Sequence, residues 1–108
     1  MIEYKREKMM DELKKYISQF IQTESNKTSM ITVTNIDLSK DLKKARFFVT
    51  VFPENEEVAA LDFLERNQKN AKEYLKEKSK LSRIPFVTFH LDNGEKSRQH
   101  LDEISRSL

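Results

Sequence analysis

Between Met30 and Phe52, apolar residues alternate with polar ones on either side of a short polar turn. In the second arm Ala45, Phe47, Val49 and Val51 keep a period of two without a break. That pattern reads as a half-buried β-strand, one side of which must be covered by apolar groups. The first arm changes phase, with Ile31 and Val33 giving way to Ile36 and Leu38. Such a slip predicts a bulge near Thr34–Asn35. Between the arms, Ser39 and Asp41 carry oxygens that accept from nearby backbone N–H groups and set the turn. Leu42 is expected to fold back beneath it.

The remaining pattern predicts helices around one more strand. From Glu3 to Ile21 the apolar residues fall at Met9/Met10, Leu13, Tyr16/Ile17 and Phe20/Ile21, the spacing of an amphipathic helix. Thr23–Ser29 is a polar loop. Pro53 ends the hairpin, since proline donates nothing to a ladder. Asn55 is the expected N-cap of a second helix, with Glu56 and Glu57 in its first turn. That helix should run to about Arg66 with Val58, Leu61 and Leu64 inward. A third, from Asn70 to about Ser82, buries Ala71, Tyr74, Leu75 and Leu81. Ile84–Leu91 is the last strand, covered at Val87, Phe89 and Leu91, and Pro85 marks a strand end or a sheet edge. Asp92-Asn93-Gly94 reads as a turn, and Glu95–Leu108 as a short terminal helix bearing Leu101 and Ile104. Helix, strand, strand, helix, helix, strand and a helical tail make an α+β two-layer sandwich, a three-stranded sheet with helices on one face. The division is a domain over 1–92 and a tail over 93–108.

Length and composition narrow the class. At 108 residues the chain is one domain, able to bury roughly 65% of its unfolded surface without cross-links. It has no cysteine, which removes disulfides and thiolate metal sites and suits a reducing cytosol. No apolar run approaches the ~20 residues of a membrane span, and the start, MIEYKREKMM, is charged rather than a signal peptide. A soluble cytoplasmic protein is expected.

The net charge of +2 conceals segregation. Residues 65–83 hold seven Lys or Arg against three Glu, and residues 40–46 hold four against Asp41. Pro53–Asp62 has four acids and no base. With Lys69 set at zero on a helical wheel, Lys72, Lys76, Lys80 and Arg83 fall at roughly 300°, 340°, 20° and 320°, provided the helix persists past Ser82. Leu75, Ala71, Tyr74 and Leu81 lie on the other side, and Lys78 intrudes there with a stem that can pack while its ammonium reaches water. A row of cations can follow a phosphate backbone by releasing counterions, with little reading of sequence. The plainer reading is a solvated lysine face, with Glu73 and Glu77 pairing nearby lysines.

The hairpin Val33-Thr34-x-x-Asp37-Leu38-Ser39-x-Asp41-Leu42-x-x-Ala45 resembles that of the ribosome-binding factor A family. The resemblance extends more thinly over nearly the whole chain. It includes Arg6 with the Leu13/Ile17 repeat, Ile84-Pro85 before the last strand, and Leu101-Asp102-Glu103-Ile104 at the end. It implies the type II KH fold, whose element order is the one predicted above. A KH module usually grips nucleic acid with a Gly-x-x-Gly loop between its core helices. The only glycine here is Gly94, outside that position. Family members carry an Ala-x-Gly kink instead, which falls on Asn67-Gln68-Lys69 in this chain. Asn67 tolerates left-handed geometry better than most residues, so a kink is still expected there. A single helix from Asn55 to Ser82 is the alternative.

Other candidate chemistry is thin. His90 and His100 flank a strand end, a turn and a helix and lack the spacing of a metal pair. His90 is expected on the uncovered sheet face beside Phe86 and Thr88. Asp37/Asp41 and Asp102/Glu103 occupy a turn and an exposed helix, poor places to raise a carboxylate pKa. No catalysis, cofactor, metal or small-molecule substrate is expected. Phe48, Phe52 and Phe86 on the open sheet face either pack under Tyr4 or the tail, or stack on bases or a protein partner. By the resemblance, the chain binds the immature small (30S) ribosomal subunit and its 16S rRNA as a monomer and assists late maturation and 5′-end processing. Lys69, Lys72, Lys76 and Lys80 would hold phosphates. Lys43, Lys44 and Arg46 would extend the patch, and Arg83 and Arg98 would flank it. The competing readings are a protein-docking module using the acidic second helix and open sheet face, and a KH-like binder of non-ribosomal RNA.

Overall fold

The structure is a computed structural model that describes residues 2–24 and 29–92, with side chains from Lys5 onward. Helix α1 (Ile2–Glu24) leads into strands β1 (Met30–Leu38) and β2 (Lys44–Phe52). A 3₁₀ turn over Glu54–Glu56 precedes α2 (Glu57–Arg66), α3 (Gln68–Lys78) and strand β3 (Phe86–Leu91). The sheet order is β1-β2-β3, antiparallel between the first pair and parallel between the second. A parallel neighbour requires a crossover, and α2 with α3 supplies it. This is the expected α+β sandwich, with all three helices on one face.

One core joins every element. Met9, Leu13, Ile17, Phe20 and Ile21 of α1 are buried at the predicted spacing in the same core as Ala45, Phe47, Val49 and Val51 of β2. Val87 and Phe89 extend this face onto β3, and the Phe47 and Phe89 ring centroids lie 5.8 Å apart. The register slips between Val33 and Asn35, so Val33 pairs with Val49 while Ile36 pairs with Phe47. The extra residue, Thr34, is what returns Ile36 and Leu38 to the covered side.

The turn is held by the two residues expected to hold it. Asp41 Oδ1 accepts from Ser39 Oγ at 2.6 Å and from the Lys43 N–H at 3.1 Å. Ser39 Oγ also accepts from the Lys44 N–H at 3.0 Å. Leu42 adopts φ 63°, a left-handed geometry that costs a non-glycine residue about 1–2 kcal/mol. Its half-buried side chain packs against the core cluster, which offsets part of that cost. Arg6 on α1 donates to the Leu38 and Ser39 carbonyls, clamping helix to hairpin.

Five details correct the sequence reading. Asn55 is no N-cap: it lies within the 3₁₀ turn, and α2 begins at Glu57 without a side-chain cap. Val58 is exposed at 82%, while Ala60 and Leu64 take the buried stripe. A Val58-Leu61-Leu64 run drifts about 60° per three-residue step, which carries Val58 off the face. Helix α3 stops at Lys78, because Ser79 turns to an extended ψ of 165° and its hydroxyl donates to the Leu75 carbonyl at 2.6 Å. Strand β3 starts at Phe86 rather than Ile84, behind the buried, N–H-less Pro85. Leu81 and Leu91 are half-buried rather than buried.

The helix between 55 and 82 is broken, as the kink reading required. Asn67 has φ −106° and ψ 14°, a bridge conformation rather than the left-handed one expected of it. Its amide Nδ2 donates to the Phe63 carbonyl at 2.8 Å, and its Oδ1 accepts from Asn70 Nδ2 at 3.0 Å. The side chain thus satisfies a carbonyl at the end of α2 and touches the first turn of α3 through Asn70, without capping a backbone N–H there. The expected turn through Gly94, the terminal helix with Leu101 and Ile104, and the side chain of Tyr4 lie outside the described residues.

Candidate nucleic-acid interface

Helix α3 turns two unlike sides outward and inward. Ala71 and Leu75 are fully buried in the core. Tyr74 is half-buried, its ring 5.6 Å from Phe20 and its hydroxyl donating to Gln19 Oε1 at 3.3 Å. These contacts fix the rotation of the helix about its axis. Lys69, Lys72 and Lys76 are therefore held in water on the far side, within an arc of roughly 60°. Lys76 Nζ comes within 4.0 Å of Glu73 Oε1, with both groups more than half exposed. An exposed pair of that kind contributes at most about 1 kcal/mol and yields to a competing polyanion. Among the described residues no ion pair engages Lys69 or Lys72. Lys78 lies on the apolar side with its ammonium 6.0 Å from the Tyr74 ring centroid.

Lys80 and Arg83 do not continue the rod. The helix ends before them, so both project from the 79–85 segment that leads to β3. Their place beside the row comes from chain continuity rather than helical phase. That segment is tied to the hairpin turn by the Phe86 N–H, which donates to the Lys43 carbonyl at 2.7 Å. Arg83 and Lys43 accordingly line one cavity, together with Lys5. Here cations far apart in sequence meet.

Lys44 and Arg46 go elsewhere. They alternate with the buried Ala45 and Phe47, which puts them on the sheet face opposite the helices. Arg46 pairs with Asp37 on β1, and its guanidinium carbon stands 5.9 Å from the Phe48 ring centroid. Phe48 also lies 5.6 Å from the His90 ring and, although on this outer face, is only 6% exposed. Phe52 and Phe86 are the exposed aromatics there, at 74% and 56%. His90 Nε2 is 2.9 Å from Thr88 Oγ1. Burial, reinforced by the nearby Arg46 charge, pulls the His90 pKa below its ordinary 6.5. The Asp41 carboxyl is held below its ordinary 3.8 first by the Ser39 hydroxyl and then by the Lys43 N–H. Arg98 and the His100 and Asp102/Glu103 groups lie outside the described residues. Among the described residues no cluster of three His, Cys, Asp or Glu side chains has a metal-binding arrangement, and no helix is long and apolar enough to cross a membrane.

An α-β-β-α-α-β chain whose helices cover one face of a three-stranded sheet, with exposed lysines along the third helix, is a KH-like protein. The family model of ribosome-binding factor A matches residues 5–105. The chain belongs to the ribosome-binding factor A family. It is 31% identical over 107 residues to the member from Natranaerobius thermophilus, covering 96% of this chain and 82% of that protein. Against the Clostridium acetobutylicum member it is 31% identical over 112 residues, covering 100% and 93%. Among solved structures, the crystal structure of ribosome-binding factor A from Thermus thermophilus superposes with a TM-score of 0.69 at 26% identity, over 77% of this chain and 90% of that one. A homology model of the Thermus thermophilus protein, fitted into a cryo-electron microscopy map of a 30S–RbfA complex, gives 0.68 at 26% identity with the same coverage.

Proposed function

We propose that this protein is an assembly factor that binds the immature small ribosomal subunit, contacts its 16S rRNA, and assists late maturation and 5′-end processing. The observation that carries this reading is the exposed row Lys69, Lys72 and Lys76 on a helix whose other side is locked into the core. Family membership and the 30S complex of the Thermus relative support the choice of partner. The row holds phosphates as point charges, which suits irregular RNA better than planar bidentate geometry would. Lys80, Arg83 and Lys43 extend it along the 79–85 segment and the turn, with Arg98 as a flanking contact. Lys44 and Arg46 face away from the row and reach RNA only if the particle wraps the sheet's outer edge. Shape of the folded particle, rather than a base code, supplies specificity. The protein acts as a cytoplasmic monomer and by binding, not by catalysis.

Co-sedimentation through a sucrose gradient tests the partner. The protein should travel with free small subunits and be absent from translating ribosomes. Even distribution over total cellular RNA would contradict the ribosomal reading. Retention on small subunits by the Lys72→Glu/Lys76→Glu variant would contradict the role of α3.

A further inference from the structure

A cavity of about 300 Å³ opens between the start of α1, the hairpin turn and the 79–85 segment. That size is at the small end of the range for ligand pockets. Met9, Leu42 and Leu81 make its apolar lining, while Lys5, Lys43 and Arg83 bring three cations to it. Its one acid, Asp41, has Oδ1 committed to the Ser39 hydroxyl and the Lys43 N–H. Leu42, which lines the cavity, holds a left-handed backbone at φ 63°, and residues kept in such geometry cluster at ligand clamps. An apolar floor under a cationic rim fits a flat ring with a phosphate attached.

We propose that this cavity takes one unstacked nucleotide of single-stranded RNA, the base against Met9, Leu42 and Leu81 and the phosphate between Lys43 and Arg83. The inference rests on the RNA-binding reading above. A duplex keeps its bases stacked and presents only phosphates, which the α3 row already suits. A strand end or bulge can splay one base out and bury it. The methionine thioether is polarisable and makes favourable contacts with a ring. Lys5 adds charge at the rim. The cavity thereby gives the protein a means of distinguishing an immature, single-stranded segment from the same segment once paired.

The test is methyl-detected NMR on the full chain, titrated with a short single-stranded oligoribonucleotide, an RNA duplex of equal length, and a free nucleoside monophosphate. The single strand should shift the Met9, Leu42 and Leu81 methyl signals, and the duplex should leave them in place. Leu42→Gly keeps the left-handed turn, since glycine adopts positive φ freely, yet removes the side chain from the floor. It should weaken single-strand binding roughly tenfold by the lost apolar contact and leave duplex binding unchanged. Lys43→Glu with Arg83→Glu, both exposed substitutions, should abolish the methyl shifts. Methyl signals that ignore the single strand, or that respond equally to the duplex, overturn the proposal. So does a response to the free nucleotide alone, or full-strength single-strand binding by Leu42→Gly. If the wild type binds RNA through Lys69, Lys72 and Lys76 while these methyls stay put, only this inference falls. If it binds neither RNA, the functional reading falls with it.

Discussion

Lys72 on α3 and Arg46 on β2 both lie in water-accessible rows of positive charge, yet their surroundings differ. Lys72 has no ion pair among the described residues, and the helix beneath it is fixed by Ala71, Tyr74 and Leu75. Arg46 pairs with Asp37 and lies over Phe48. The first charge contributes nothing visible to the fold and is free to meet a phosphate. The second is engaged in joining β1 to β2 on the outer sheet face. Positive charge in a sequence thus divides into groups that hold the protein together and groups that remain for a partner, and only neighbours in space separate the two.

The largest expected effect comes from reversing charge on the free row. Lys72→Glu with Lys76→Glu should cut affinity for small-subunit RNA on the order of a hundredfold, since two counterion-releasing contacts become repulsive. The melting temperature should change little, because both side chains are exposed. A filter-binding titration with a parallel thermal melt checks both halves. Equal loss of stability would erase the distinction drawn above.

Next is a cation that belongs wholly to the fold. Arg6→Ala removes charge-assisted donors to the Leu38 and Ser39 carbonyls, a loss of about 1.5–3 kcal/mol. Urea unfolding should show it, with RNA affinity of the folded protein preserved.

A smaller effect is expected at Arg46. Its exposed ion pair with Asp37 should show a coupling of at most about 1 kcal/mol in a double-mutant cycle of Arg46→Ala and Asp37→Ala. RNA affinity should move less than about twofold if this side chain makes no phosphate contact. A tenfold loss would instead transfer Arg46 to the binding surface.

The smallest prediction concerns pH. His90 titrates below 6.5 in the fold because burial and Arg46 disfavour its charged form. The unfolded chain then binds the proton more readily, so this group's contribution to stability is full above pH 6.5 and declines as pH falls toward the folded value. An NMR titration of the His90 ring should show the low pKa, and Arg46→Ala should raise it toward 6.5 while burial keeps it below. Asp41 acts in the same sense at lower pH: its contribution is present above 3.8 and is lost as pH falls through its lowered folded value.

Legibility in the sequence followed the range of each interaction. The period of two in β2, the phase slip at Thr34 and the α1 stripe are short-range patterns, and each was legible in the spacing of apolar residues, while the pairing of β1 with β2 residue by residue came from the structure. Capping and helix phase were less so. Asn55 has the chemistry of a cap, but the 3₁₀ turn that contains it displaced the helix start by one residue, and the three-residue spacing of Val58, Leu61 and Leu64 carried Val58 off the buried face. Ser79 ended α3 early, so Lys80 and Arg83 left the wheel on which their spacing aligns them. A serine that back-bonds to the carbonyl four residues earlier was the available signal. The cavity joining Lys5, Lys43 and Arg83 had no sequence signature at all, because it depends on the 79–85 segment crossing under the hairpin turn. Leucine at a left-handed position was equally invisible, since glycine or asparagine is the residue that announces such geometry.

If α3 binds RNA by its own phosphate contacts, the salt dependence of affinity measures those contacts one by one. Affinity for small-subunit RNA is determined across a range of monovalent salt for the wild type and for Lys69→Ala, Lys72→Ala and Lys76→Ala combined. The slope of log affinity against log salt should become shallower by about three, near one per lysine removed. A slope unchanged by the triple substitution would contradict it.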